Sequence, residues 1–157
     1  MEKTSCNIPT PEELRNYINE SVISVTGTYE QSASVLMVDD STIGTLGNFS
    51  ASIGKAKSKK TFNVSAIAAA ALKNGTVLHY RACFPEGKRK ILYVDTEQGK
   101  NHCQIVLNRI LKLAGLPKDC DADNLTMLAL RKYSPEVRLA ITEESIGMSP
   151  DLGLVVI

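Results

Sequence analysis

Apolar residues recur along this chain with two periods, about 3.6 and about 2, and each change of period marks the edge of an element. Thr10-Pro11-Glu12-Glu13 has the capping-box residues, with proline at the first helical position, and predicts a helix from there to about Val22. The stretch from Val22 to Tyr29 follows neither period. Ser34–Val38 is apolar, Asp39-Asp40-Ser41 reads as a turn, and residues 42–46 form a second short strand. After the turn at Gly47-Asn48, residues 49–53 (FSASI) alternate as a strand that stops at Gly54.

The second half is more regular. A helix from Lys60 to about Lys73 is closed by Asn74-Gly75. Its face of Phe62, Ala66 and Ala69, with Ile67 and Ala70 beside it, is small enough to lie close on a sheet. Residues 76–90 read as a loop or short strand, 91–95 (ILYVD) as a buried strand, and Lys100–Ala114 as an amphipathic helix stopped by Gly115 and Pro117. Residues 125–130 make another strand, Ser134-Pro135-Glu136 starts a helix running to about Ile146, and 153–157 (GLVVI) close with a last buried strand. From residue 49 onward the order is strand, helix, strand, helix, strand, helix, strand. That alternation predicts an α/β fold: a mainly parallel sheet with flanking helices and right-handed crossovers. The organisation follows as residues 1–48, an N-terminal helix with a short β lead-in, and 49–157, the α/β core.

Composition narrows the classes. At 157 residues and 43% hydrophobic content the chain can bury a core, and disorder is excluded. A net charge of +1 means that any affinity for polyanions must be local. Cys6, Cys83, Cys103 and Cys120 contain no CxxC pair, which argues against a zinc site or a disulfide framework. The N-terminus has no apolar signal core and no run approaches 18 apolar residues, so the reading is a cytoplasmic protein with reduced thiols and no membrane partner. Without a secretion signal, the Asn-x-Ser/Thr matches at Asn48, Asn63, Asn74 and Asn124 carry no meaning.

The chemistry concentrates at the joint between the strand at 49–53 and the following helix. There GKAKSKKT, residues 54–61, holds four lysines in eight positions. Cations oppose the dipole at a helix start, by about 0.3–1 kcal/mol each, and a bound polyphosphate would remove the conflict. The phosphate-loop pattern G-x-x-x-x-G-K-[ST] is met at Gly54, Lys60 and Thr61, while Lys59 stands where the second glycine belongs. In this reading Gly54, Lys55, Ala56, Lys57, Ser58, Lys59, Lys60, Thr61 and Phe62 form a nucleotide-binding stretch. Backbone N–H groups cradle phosphate, Lys60 reaches the β- and γ-phosphates, and the Thr61 hydroxyl holds Mg²⁺. The plainer alternative is a solvated basic loop or a nucleic-acid patch.

A second polar group, Asp95-Thr96-Glu97-Gln98, follows the strand at 91–95. If that strand runs parallel to 49–53, these side chains share the crevice with the loop, and Glu97, ahead of Asp95, could deprotonate the attacking water. By itself the group is also what an ordinary capped strand-to-helix turn looks like.

These segments, GKAKSKKT, ILYVDTEQ and the final LVVI, resemble the RecA-like P-loop ATPases, most of all the replication, mobilisation and helicase-type proteins of bacterial mobile elements and plasmids. The resemblance spans about residues 44–157. It implies a Walker A loop at 54–61, ATP and Mg²⁺ as cofactors, Glu97 as the catalytic base, DNA as a partner and a homo-oligomer. The family's Walker B strand ends in Asp. Here that strand is GLVVI and Ile157 is its last residue, so the resemblance implies a domain cut at the Walker B strand and a 157-residue chain that turns over little or no ATP. The alternative from another class is a non-catalytic nucleotide-binding or DNA-interaction module.

Three smaller features read mainly as structure. His79 and His102 have no second ligand spaced near them. Lys88-Arg89-Lys90 reads as a solvated turn, and Arg131-Lys132-Tyr133 has two cations and one ring with the option of meeting DNA or a neighbouring subunit.

Overall fold

The computed structural model describes residues 8–55, 59–117 and 122–157. The chain divides into two units, Met1–Gln31 and Ser32–Ile157. Among the described residues the first holds one helix, α1 (Pro11–Ser21), and its start is the one the sequence predicts. The Thr10 hydroxyl accepts from Glu13 N, and the Glu13 carboxylate accepts from Thr10 N at 2.7 Å. The apolar face of α1, including Tyr17 and Ile18, is largely exposed.

The second unit contains two sheets. Strands β1 (Ser34–Val38), β2 (Ser41–Thr45), β3 (Thr76–Val77) and β4 (Tyr80–Ala82) form an antiparallel sheet in the order β2-β1-β4-β3. Strands β5 (Lys90–Asp95), β6 (Leu125–Ala129) and β7 (Leu152–Val156) form a parallel sheet in the order β6-β5-β7. Helices α2 (Lys60–Lys73), α3 (Lys100–Ala114) and α4 (Pro135–Gly147) connect and flank them. The mixed α/β class with a parallel sheet is therefore correct. The β lead-in belongs with the core, because β1 pairs with β4 at Leu36↔Ala82, Met37↔Arg81 and Val38↔Tyr80.

β5 is buried on both faces. Ile91 and Tyr93 join α2 and α3 (Val106, Ile110) in the larger cluster, while Leu92 and Val94 meet Leu130 and Ile141 on the opposite face. That is the apolar run expected of a central parallel strand. The small face of α2 lets it sit deep: Ser65, Ala66 and Ala68 to Ala71 are all buried, whereas Phe62 stays 40% exposed.

One expected element is absent. Residues 49–53 form no strand, and Phe49 and Ile53 are 95% and 91% exposed. The Ser50 hydroxyl instead donates to the Ile43 carbonyl, which draws the segment along β2 of the antiparallel sheet. The described parallel sheet thus has three strands, with β7 at an edge. The antiparallel sheet itself was not legible beyond β1 and β2. Its β3–β4 hairpin has strands of two and three residues and turns through Leu78, at φ 54°, a conformation normally signalled by Gly or Asn.

Candidate functional site

The direction of α2 sets the site. At its C-terminus Asn74 takes the left-handed conformation, and its side chain clamps Phe84, accepting from Phe84 N at 2.6 Å and donating to Phe84 O at 3.2 Å. The Phe84 ring lies against Gly153, where any Cβ would collide with the Lys88 carbonyl. Gly153 and Lys88 stand at the beginnings of β7 and β5. The C-terminus of α2 is therefore at the start of the parallel strands, and α2, which packs on both β5 and β7, runs against them. A helix of 14 residues spans about 21 Å and a strand of six about 20 Å, so α2 begins near the strands' carboxyl ends. Lys60 and Thr61 thereby share an edge with residues 95–98, the end of the sheet where ligands bind in α/β folds.

The start of α2 is chemically open. Lys59 occupies the N-cap position at φ 59°, ψ 24°; among the described residues no side chain caps the helix, and no acid lies in its first turn. The N–H groups of Phe62 and Asn63 bond to the Lys59 carbonyl. The Lys60 ammonium turns back and donates to the Gly54 carbonyl at 2.7 Å. Lys55, Lys59, Lys60 and Thr61 are exposed, whereas Ala56, Lys57 and Ser58 lie outside the described residues. The expectation that a parallel strand delivers the chain to this loop is corrected: residues 49–55 have no regular structure.

At the end of β5 the two carboxylates separate by role. Asp95 Oδ1 accepts from Glu97 N at 2.9 Å and Gln98 N at 2.6 Å and so builds the turn. Glu97 is exposed on that turn, with its side chain toward solvent. A feature of the next helix escaped the motif pattern. α3 begins at Gly99 and Lys100, and it too has no side-chain cap and no acid in its first turn. Two open helix starts therefore lie at this edge, and the signal for the second was the missing Ser, Thr or Asp at the cap position. His102 is in that first turn and is exposed.

Behind the turn the groups are structural. Cys103 is 4% exposed, and burial, with the Asp95 charge adding to it, raises the thiol pKa. Burial likewise pushes up the Tyr93 hydroxyl, reinforced by Asp95 and Cys103 and opposed by Arg109. Cys83 and Cys103 are free thiols. His79 pairs with Asp39 at 3.3 Å on the surface, which matches its structural reading. Among the described residues no group of three or more His, Cys, Asp or Glu side chains could hold a metal, and no helix is long and apolar enough to cross a membrane. No family model, curated protein or solved structure matches the chain, so the chemistry of this edge rests on its own residues.

Proposed function

We propose that the chain carries the nucleotide-binding part of a RecA-like P-loop ATPase core that acts on DNA as a homo-oligomer, in the replication or mobilisation of a mobile element in the cytoplasm. The observation that carries the nucleotide part is the uncapped, lysine-bearing start of α2, set at the same sheet edge as Glu97. A helix start without a cap offers N–H donors and a positive dipole end, which suit phosphate. DNA, oligomer and biological setting come from the resemblance of GKAKSKKT and ILYVDTEQ alone.

In this reading the N–H groups at the start of α2 hold the phosphates, and Lys60 exchanges the Gly54 carbonyl for β- and γ-phosphate oxygens. The Thr61 hydroxyl suits a hard cation that takes its remaining ligands from phosphate and water. Mg²⁺ there would neutralise phosphate charge. Asp95 fixes the turn, and Glu97, left outside that hydrogen-bond set, accepts the proton of the attacking water.

Isothermal titration with ATP tests the nucleotide site. Lys60→Ala is expected to weaken binding by about 1.5–3 kcal/mol, the scale of a hydrogen bond to a charged group. Lys55→Ala is expected to do much less, as Lys55 is exposed and its charge is screened. Equal losses would replace the phosphate loop with a diffuse basic patch.

A further inference from the structure

We propose that residues 131–133 are a preformed contact for single-stranded nucleic acid, with Arg131 and Lys132 taking phosphate and Tyr133 stacking on a base. The proposal deepens the DNA part of the proposed function and rests on that part alone. Its basis is a loop whose shape is fixed from within. Arg138, one turn into α4, donates from Nε to the Tyr133 carbonyl and from Nη2 to the Arg131 carbonyl, both at 2.8 Å. Tyr133 N bonds to Leu130 O at 3.0 Å, and Leu130 N bonds to Asp95 O at 2.8 Å. The loop is thus pinned to α4 on one side and to the end of β5 on the other.

This arrangement consumes one cation and leaves two. Arg138 is committed to carbonyls, while Arg131 and Lys132 are exposed. Tyr133 is 36% exposed, and the Lys132 ammonium lies 4.7 Å from its ring centroid. A ring that already accepts a cation on its surface presents a face on which a base can stack, with Lys132 then released to the adjoining phosphate. The neighbouring acid, Glu136, is engaged with its own backbone and with Ser134. Because these hydrogen bonds fix the loop's backbone, binding forfeits little backbone entropy. An acidic protein surface would use the cations but has no need of the ring, and that difference separates the partners.

The test is fluorescence anisotropy of the full 157-residue chain with a labelled oligo-dT, with heparin as a polyanion lacking bases, and with ATP titrated into the same samples. Tyr133→Ala is expected to weaken oligo-dT binding by about 5- to 150-fold and to leave heparin binding unchanged, whereas Tyr133→Phe keeps the wild-type affinity for both. Arg131→Ala and Lys132→Ala each lower the slope of log K against log salt by about 0.7. Circular dichroism melts report whether each variant is folded, and Tyr133→Leu, which keeps apolar bulk but has no ring, takes the place of the alanine variant if that one is not. The loop proposal is overturned if Tyr133→Ala binds oligo-dT like wild type or loses heparin equally. Absence of oligo-dT binding by the wild type overturns both it and the DNA reading, while ATP binding that disappears only with Lys60→Ala leaves the nucleotide site standing.

Discussion

Among the described residues, the four helices begin in two different ways. α1 and α4 have a hydroxyl cap (Thr10, Ser134), proline at the first position and glutamate in the first turn. α2 and α3 have neither cap nor acid, and each begins with a lysine, Lys60 or Lys100. The first pair satisfies the open N–H groups and the dipole from within the chain. The second pair leaves both unsatisfied, at one edge of the parallel sheet. The stability forgone there is a cap worth about 1 kcal/mol at Lys59, a few tenths at Gly99, and a dipole interaction of about 0.3–1 kcal/mol at each. Helix starts built only for stability look like α1 and α4.

The largest effect that would sharpen this contrast lies in the chemistry. In protein that turns over ATP, Glu97→Gln is expected to leave affinity nearly intact and lower phosphate release by about 10²–10⁴-fold. If Asp95→Asn gave that phenotype instead, the base would be the wrong carboxylate.

Next comes a crossed charge swap. Lys60→Glu places an acid at the dipole's positive end and is expected to raise stability by about 0.3–1 kcal/mol while abolishing ATP binding. Glu136→Lys is expected to lower stability by a similar amount without touching ATP. Denaturant melts and nucleotide titration measure both, and the comparison fails if Lys60→Glu still binds.

Backbone and cap changes should be of similar size. Lys59 is held at φ 59°, so Lys59→Gly is expected to stabilise the fold by about 1 kcal/mol, and Ser134→Ala to destabilise it by about 1. A Lys59→Gly variant no more stable than wild type would show that the side chain contributes what the strain costs.

The smallest effect is acid sensitivity. Hydrogen bonds to Thr10 N and then to the Thr10 hydroxyl hold Glu13 below the usual carboxylate range, and bonds to its own backbone and to Ser134 do so for Glu136. A lowered folded-state value contributes stability above the unfolded value and loses it as pH falls through the folded one. The first turns of α1 and α4 should therefore fray as pH falls below the ordinary glutamate value of 4.5, and that of α2, with no acid, should not. Amide exchange of the three first turns would show it, and equal fraying would erase the distinction.

The sequence alone determined the elements whose signals are local. Capping residues placed α1 and α4, the alanine run and Asn74 bounded α2 at Lys60–Lys73, Gly115 ended α3, and continuous apolar runs marked β5 and β7. It also carried the site's residue types, since an uncapped basic helix start is written in GKAKSKKT. Only the tertiary structure decided where residues 49–53 go, because a strand is defined by its partner and an alternating pattern does not name one. The same holds for the β3–β4 hairpin, whose strands are too short to show a period. That Lys60, Glu97, Lys100 and the loop at 131–133 share one edge also needed the fold. For Lys60 it follows from the Asn74–Phe84 clamp and the close approach at Gly153, and for the others from the parallel pairing of β5 with β6, contacts between residues far apart in the chain that no local pattern encodes.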